Sequence, residues 1–128
     1  MRIMIDSNVI VSAIYNKNSK PADVLSHVCE NHNLFLCDYI IAECFDVLKR
    51  KFPQHLSDFD KLLATLGYKL VATPRTGLIM VDPKDSPILN AAIISNMDYL
   101  ISGDKHFLSL EIEKLKIINP AQYLDKFG

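Results

Sequence analysis

The chain has 128 residues, 49% of them hydrophobic, and its 14 basic and 15 acidic side chains leave a net charge of −1. This length fits one domain over residues 1–128, and the composition excludes a disordered chain. The charge excludes a strongly basic nucleic-acid binder but allows a local basic rim or a basic patch masked by an acidic partner. The apolar runs are far shorter than the roughly 20 residues that span a bilayer, and no signal peptide is recognisable, so we expect a cytoplasmic protein without a membrane partner.

Hydrophobic periodicity predicts strands that alternate with helices. In chain order we predict a strand at 2–5, helices at 8–15 and 22–29, a strand at 33–37, helices at 39–51 and 56–66, extended segments at 70–72 and 78–81, a buried helix at 88–96, strands at 98–101 and 115–118, and a helix at 120–127. Asp38 is the expected N-cap of the third helix, and Ser86 that of the buried helix, with Pro87 at its first position.

This order, with strands apolar on both faces, predicts an α/β fold in which a parallel sheet is covered by helices on both sides. Right-handed crossovers bring the carboxyl ends of parallel strands to one edge, where ligands bind. Asp6 directly follows the first strand, and Asp104 follows the strand at 98–101. We therefore expect these two carboxylates at the same edge.

Two further acids lie near the starts of predicted helices. Glu43 lies at the border of the apolar stripe of the helix at 39–51, and Asp85 ends an acidic turn at 82–85, in which Asp82 is an alternative. Each acid also has an ordinary explanation. Asp6, Asp85 and Asp104 could cap helices, and Glu43 could pair with Arg50 or face solvent.

Taken together, four converging carboxylates would repel one another, and burial would raise the cost by several kcal/mol. A hard divalent cation such as Mg²⁺ or Mn²⁺ resolves this, because it prefers oxygen ligands. Such ions activate water and stabilise the departing oxygen of a phosphodiester. Zinc lacks ligands here, because the four histidines have neither HxxxH nor HExxH spacing and the three cysteines, without CxxC spacing, are best explained as buried thiols.

Four segments carry a resemblance to a known family. They are MIDSNVIVSAI at 4–14, CDYIIAECFDVL at 37–48, DPKDSPILNAAI at 82–93 and DYLISGDKHFL at 98–108. In this order and spacing the chain resembles PIN-domain proteins, of the kind found as VapC-like toxin ribonucleases. The departures are conservative, because serine stands at positions 7 and 102 where threonine is common.

The resemblance implies a three-layer α/β/α sandwich with a central parallel sheet, and Mg²⁺- or Mn²⁺-dependent endonucleolytic cleavage of RNA. The metal-binding and catalytic acids it implies are Asp6, Glu43, Asp85 and Asp104. Asn8 and Ser102 resemble polar positions that orient these carboxylates, and Asp82 resembles an additional acid of uncertain role. The resemblance also implies an antitoxin partner and a homodimer.

Basic side chains could hold the RNA backbone, although each also fits an ordinary solvated surface: Lys49, Arg50, Lys51, Arg75, Lys105 and, less directly, His106. The main alternative function is a catalytically inactive PIN-fold protein that binds RNA or acts as a scaffold. A nuclease for structured DNA is disfavoured, because so short a chain lacks the additional elements that bind a DNA junction. A phosphate-handling receiver or dehalogenase-type domain lacks its further motifs, because the dehalogenase pattern needs an acid where Asn8 stands.

Overall fold

The structure, a computed structural model, describes residues 1–74 and 86–128. Its strands are β1 Arg2–Ile5, β2 Asn33–Cys37, β3 Tyr68–Val71, β4 Tyr99–Ile101 and β5 Lys116–Ile118. Its helices are α1 Ser7–Tyr15, α2 Lys20–Asn31, α3 Asp38–Lys51, α4 Leu56–Thr65, α5 Ser86–Ile94, α6 Lys105–Leu108 and α7 Pro120–Phe127, with a 3-10 turn at Pro53–His55 before α4. The extended segment predicted at 78–81 and the acidic turn at 82–85 lie outside the described residues.

The five strands form one parallel sheet in the order β3-β2-β1-β4-β5. The predicted α/β class, a three-layer sandwich around a parallel sheet, is confirmed. The central strand β1 explains why: Ile3, Met4 and Ile5 are fully buried, as a strand covered on both faces requires. The edge strand β3 is much more exposed, and 59% of Leu70 is accessible.

The direction in which successive strands are added to the sheet reverses beside β1. From β1 the chain moves outward through β2 to β3, and it then crosses to the other side of β1 to form β4 and β5. Right-handed crossovers place the connecting helices of these two halves on opposite faces of the sheet. The carboxyl ends of β1 and β4 therefore flank the point where the strand order reverses, which is where open α/β sheets form their ligand crevice.

The helix α5 packs into the core, as its apolar sequence predicts. Ile88, Leu89, Ala91 and Ala92 are almost completely buried, whereas Ile94 at its end is half-exposed. The helix begins at Ser86, one residue before the predicted first position at Pro87. Within residues 1–74 and 86–128, no helix combines the length and apolar character that crossing a membrane would require.

The predicted capping role of Asp38 is wrong. The N-cap of α3 is Cys37, and Asp38 is the first helical residue. Its carboxylate instead accepts hydrogen bonds from the backbone N–H and the hydroxyl of Thr73, the former at 2.7 Å. The competing partner lies after β3, 35 residues away, so local sequence could not reveal it.

The C-terminal segment closes the other side of the sheet. β5 pairs with β4, and beyond the paired strands the N–H of Ser102 donates to the carbonyl of Ile118 at 3.0 Å. Asn119 then caps α7 in a reciprocal capping box with Gln122, next to Pro120 at the first helical position. The predicted helix at 120–127 is confirmed.

Candidate metal centre and active site

Asp6 is the buried carboxylate at the carboxyl end of β1, with 4% of its surface exposed. It is also the N-cap of α1, because its Oδ1 accepts the N–H of Ser7 at 2.7 Å. The backbone N–H of Asp6 donates to the carbonyl of Ile101 on β4 at 2.9 Å. The strand pairing thus fixes Asp6 beside the end of β4, as the sequence predicts.

Ser102 connects Asp6 to the turn that carries Asp104. The fully buried Ser102 hydroxyl donates to Oδ2 of Asp6 at 2.7 Å and accepts the N–H of Asp104 at 3.0 Å. Asp104 is half-buried, and its Oδ1 accepts the N–H of His106 at 2.7 Å as the N-cap of α6. One hydroxyl therefore orients Asp6 and holds the backbone of a second candidate acid.

Ser7 connects Asp6 to Glu43 from the other side. The Ser7 hydroxyl donates to Oε1 of Glu43 and lies 3.3 Å from Oδ1 of Asp6. The thiol of Cys44, buried on α3, approaches the Ser7 carbonyl at 3.8 Å and packs the two helices together. Glu43 is half-buried at the border of the α3 stripe, where the sequence predicts it, and it faces the candidate site.

The alternative partner proposed for Glu43, Arg50, bonds elsewhere. Its guanidinium pairs with Asp46 at 3.1 Å, one helical turn away on the exposed face of α3.

The capping roles of Asp6 and Asp104 are both observed. Neither role competes with binding a metal, because capping uses only part of the acceptor capacity of a carboxylate.

The electrostatics of Asp6 favour a cation. Burial raises the pKa of Asp6 to about 6, against the hydrogen bonds from Ser102 and Ser7, and the nearby Glu43 carboxylate raises it further. In the part of the chain that the structure describes, no lysine or arginine forms an ion pair with Asp6. Its bonded partners there are neutral donors, which leave the charge of the buried carboxylate uncompensated.

Asp85 and Asp82 lie outside the described residues, so their positions relative to the other acids stay predictions. Among residues 1–74 and 86–128, no three histidine, cysteine or acidic side chains form a group able to hold a metal ion. The donors that are described fit Mg²⁺ or Mn²⁺ in kind, because Asp6, Glu43 and Asp104 offer only carboxylate oxygens at one edge of the sheet.

Asn8 lies at the start of α1 with an exposed side chain. Its Oδ1 accepts the N–H of Gly103 at 3.4 Å and so links α1 to the turn after β4. Its predicted role in orienting the carboxylates stays a prediction, because Asp82 and Asp85 lie outside the described residues. Of the basic side chains considered for RNA, Lys49, Arg50 and Lys51 are exposed at the C-terminal end of α3. Lys105 and His106 are exposed beside Asp104, and Arg75 lies outside the described residues.

A cavity of about 400 Å³ lies away from these acids, between α1, α2 and α4. Its walls are mostly aliphatic, from Ile14, Leu25 and Leu62, and Lys17 and Lys61 also line it. It contains none of Asp6, Glu43 and Asp104. We place the candidate metal centre at the strand ends on chemical grounds, because a hard divalent cation needs oxygen ligands rather than an apolar wall.

Sequence reasoning noted Ser7 only as a departure from threonine and missed its place between two carboxylates. The signal was a hydroxyl directly after the strand-end acid. Its partner Glu43 is 36 residues away, and only the packing of α1 against α3 brings the two together.

Comparison with known proteins identifies the family of this chain. The family model of the PIN domain matches residues 2–106. The uncharacterised protein MJ1680 of Methanocaldococcus jannaschii is 26% identical over an alignment of 143 residues, which covers 99% of this chain and 92% of that protein.

Solved structures share the fold at low identity. VapBC2 from Rickettsia felis, bound to a DNA fragment from its promoter, aligns with a TM-score of 0.71 at 19% identity and covers 93% of this chain and 98% of its own. DNA-bound VapBC from Salmonella typhimurium aligns with a TM-score of 0.70 at 12% identity, and the alignment covers 94% of this chain and 98% of that chain. The sarcin-ricin loop cleaving toxin VapC20 of Mycobacterium tuberculosis aligns with a TM-score of 0.63 at 8% identity, and the alignment covers 89% of this chain and 98% of that chain. With a family match over most of its length and this fold, the chain belongs to the PIN-domain family.

Proposed function

We propose that this chain is a divalent-metal-dependent endoribonuclease and the toxin of a toxin–antitoxin pair, acting as a single domain in the cytoplasm. The observation that carries the proposal is the pair of serine bridges around Asp6. Ser7 links the buried carboxylate to Glu43, and Ser102 links it to the turn of Asp104, at the strand ends where the sheet order reverses. Membership of the PIN-domain family supports the same chemistry.

In this proposal Asp6, Glu43, Asp85 and Asp104 hold Mg²⁺ or Mn²⁺, and Asp82 is a possible further acid. Bound there, the cation would lower the pKa of a water molecule and neutralise charge on the departing oxygen of the phosphodiester. The chain itself orients the ligands. Ser102 fixes the rotation of the Asp6 carboxylate, Ser7 holds Glu43 towards it, and Asn8 steadies the Gly103 turn.

The direct test is cleavage of a mixed RNA pool with Mn²⁺ or Mg²⁺ added back to protein stripped with EDTA. We expect cleavage that depends on the metal and is reduced at least a hundredfold by Asp6→Asn, on the order of a lost metal ligand. Sequencing the cut ends would define the preferred site. Metal-independent cleavage, or full activity of Asp6→Asn, would refute the metal-acid assignment.

The same preparation separates an active nuclease from an inactive scaffold. Asp46→Asn is the matched control, because it neutralises an exposed acid on α3 that pairs with Arg50 rather than with the site. RNA binding without cleavage by the parent protein, together with no carboxylate-dependent heat on Mn²⁺ titration, would identify the scaffold function instead.

The antitoxin partner and the homodimer belong to this proposal as well. Two of the similar structures are VapBC assemblies bound to DNA, which supports a partner protein that binds DNA and blocks the nuclease. Expression of the chain alone should arrest growth, and co-expression with the small protein encoded beside it should relieve the arrest. Arrest that persists with the Asp6→Asn form would argue against toxicity through RNA cleavage. Light scattering of the purified chain tests the dimer.

A further inference from the structure

One exposed stripe of α1 leads away from the candidate acids. Asn8, Ser12 and Tyr15 are its exposed residues, at helical spacing i, i+4 and i+7, whereas all five intervening residues are buried. The stripe begins beside Gly103, which donates its N–H to Asn8, and ends at Tyr15. At 1.5 Å per residue, Tyr15 lies roughly 10 Å further along the helix than Asn8.

Tyr15 ends this stripe as an exposed aromatic surface. Its side chain is 58% exposed, and among the described residues it is the one aromatic member of the large exposed hydrophobic side chains. Its ring packs on the half-buried ring of Phe52, with centroids 4.6 Å apart, and on the edge of His55 at 6.1 Å. Phe52 and His55 also meet edge to face at 6.4 Å. We call Tyr15, Phe52 and His55 the Tyr15 platform.

The surroundings of the Tyr15 platform are cationic. Lys49 and Lys51 are exposed on the last turn of α3, directly before Phe52, and Lys17 is exposed two residues after Tyr15. The acids nearby already have partners, since Asp46 pairs with Arg50 and Asp58 with His55, and the charge of Lys17 also acts on Asp58. Within residues 1–74 and 86–128, neither Lys49 nor Lys51 forms an ion pair.

The platform and the acids are joined by two helices that run side by side. α1 and α3 meet near their starts, where Ser7 contacts Glu43 and Cys44, and again at their ends, where Tyr15 contacts Phe52. The separation in sequence is nearly the same at both contacts, so the helices run in the same direction. A nucleic-acid strand lying along the two helices would therefore pass from the candidate acids to the Tyr15 platform.

We propose that the Tyr15 platform is a nucleotide-binding subsite that stacks one unpaired RNA base, a few nucleotides from the bond that is cut. This inference rests on the proposed ribonuclease function. An exposed aromatic face set among cations is the combination that binds single-stranded nucleic acid, because rings stack on bases while lysines contact phosphates. A purely apolar protein partner would gain nothing from the exposed lysines around the ring.

The test measures binding without cleavage. The full-length protein in EDTA is titrated into a short oligouridylate that carries one 2-aminopurine, whose fluorescence falls when it stacks on an aromatic ring. We expect Tyr15→Leu to weaken binding about tenfold and to abolish the quenching. Tyr15→Phe should preserve both, because it keeps the ring. Ile94→Ala, which alters another exposed hydrophobic residue at the end of α5, is the matched control.

Several outcomes would refute the proposal that the Tyr15 platform binds a base. Unchanged binding by Tyr15→Leu would do so, as would equal losses in Tyr15→Phe and Tyr15→Leu. A Tyr15→Leu protein that binds RNA normally but loses a self-association seen by light scattering would assign the surface to a second copy of the chain instead. Because none of these readouts involves cleavage, a failed nuclease test leaves them interpretable.

A second measurement needs no variant at all. A 4-thiouridine placed at successive positions of the same oligonucleotide is crosslinked to the parent protein, and the modified peptides are mapped by mass spectrometry. We expect an adduct on the peptide containing Tyr15 at one position only. Adducts confined to other surfaces would refute the proposal even if the Tyr15 variants fail to fold.

Discussion

The hydroxyl of Ser102 donates to Oδ2 of Asp6 at 2.7 Å, across the neighbouring strands β4 and β1. Both side chains are buried, and the same hydroxyl accepts the N–H of Asp104. The bond therefore couples the orientation of the central carboxylate to the position of a second candidate ligand.

Removing this hydroxyl should weaken both metal binding and the fold. We expect Ser102→Ala to lower Mn²⁺ affinity by about 10- to 100-fold, because an outer-shell donor orients its ligand. The loss of a buried bond to a charged group should also cost about 1.5–3 kcal/mol of folding free energy. Ser102→Thr should retain most of both. Calorimetric titration and urea unfolding measure the two effects, with the exposed Ser57→Ala as control. Normal affinity in Ser102→Ala would contradict the orienting role.

The contribution of Asp6 to the stability of the metal-free protein should grow as the pH falls. Burial raises the pKa of Asp6 to about 6 in the folded chain, above its value of 3.8 when exposed. The folded chain consequently binds this proton more tightly, and stability rises as the pH falls through the window between these values. The gain is on the order of 2–3 kcal/mol for such a shift.

Urea unfolding in EDTA at several pH values between 7.5 and 4 would measure this gain. In Asp6→Asn this contribution should disappear, because the amide does not titrate. A parent protein whose stability falls steadily over the same window, with no difference from Asp6→Asn, would contradict it.

Divalent metal should stabilise the chain through its carboxylates. A ligand that binds only the folded state adds about 2.7 kcal/mol at a hundred times its dissociation constant. We therefore expect Mn²⁺ to raise the Tm of the parent protein. In Glu43→Gln most of that increase should be lost, whereas the control Asp46→Asn should keep it. An increase that survives in Glu43→Gln would place the ion elsewhere.

The three cysteines should differ in reactivity. Cys37 and Cys44 are fully buried and Cys29 is half-buried, and burial raises the pKa of all three thiols. In the folded protein a thiol reagent should modify Cys29 slowly and the other two only on unfolding, because the thiolate is the reactive form. Peptide mapping after a timed exposure checks this. Rapid modification of Cys44 would mean that α3 separates readily from α1.

Sequence alone predicted the parts of this fold that depend on local pattern. β2 and α7 match their predicted ranges, and the buried character of α5 follows from its apolar composition. Asp6 and Asp104 were placed at one edge because parallel strands share an edge, whatever their order.

The remaining features depend on long-range contacts. The strand order β3-β2-β1-β4-β5, the bond from Asp38 to Thr73 and the bridge from Ser7 to Glu43 each join residues far apart in sequence. The segment 70–72 was predicted two residues late, because β3 is a half-exposed edge strand whose start is set by pairing with Leu34 on β2 rather than by its own hydrophobicity. Local periodicity carries no information on such partners.

The hydrogen bond from the Ser102 N–H to Ile118 makes the C-terminal segment part of the support of the candidate site. The match to the family ends at residue 106, before β5, yet β5 supplies the acceptor that anchors the backbone of Ser102. A chain shortened before residue 116 would leave that donor without its partner at the rim of the candidate site. Deletions of the C-terminal segment that keep every candidate acid should therefore still loosen the Asp6 carboxylate, because Ser102 orients it.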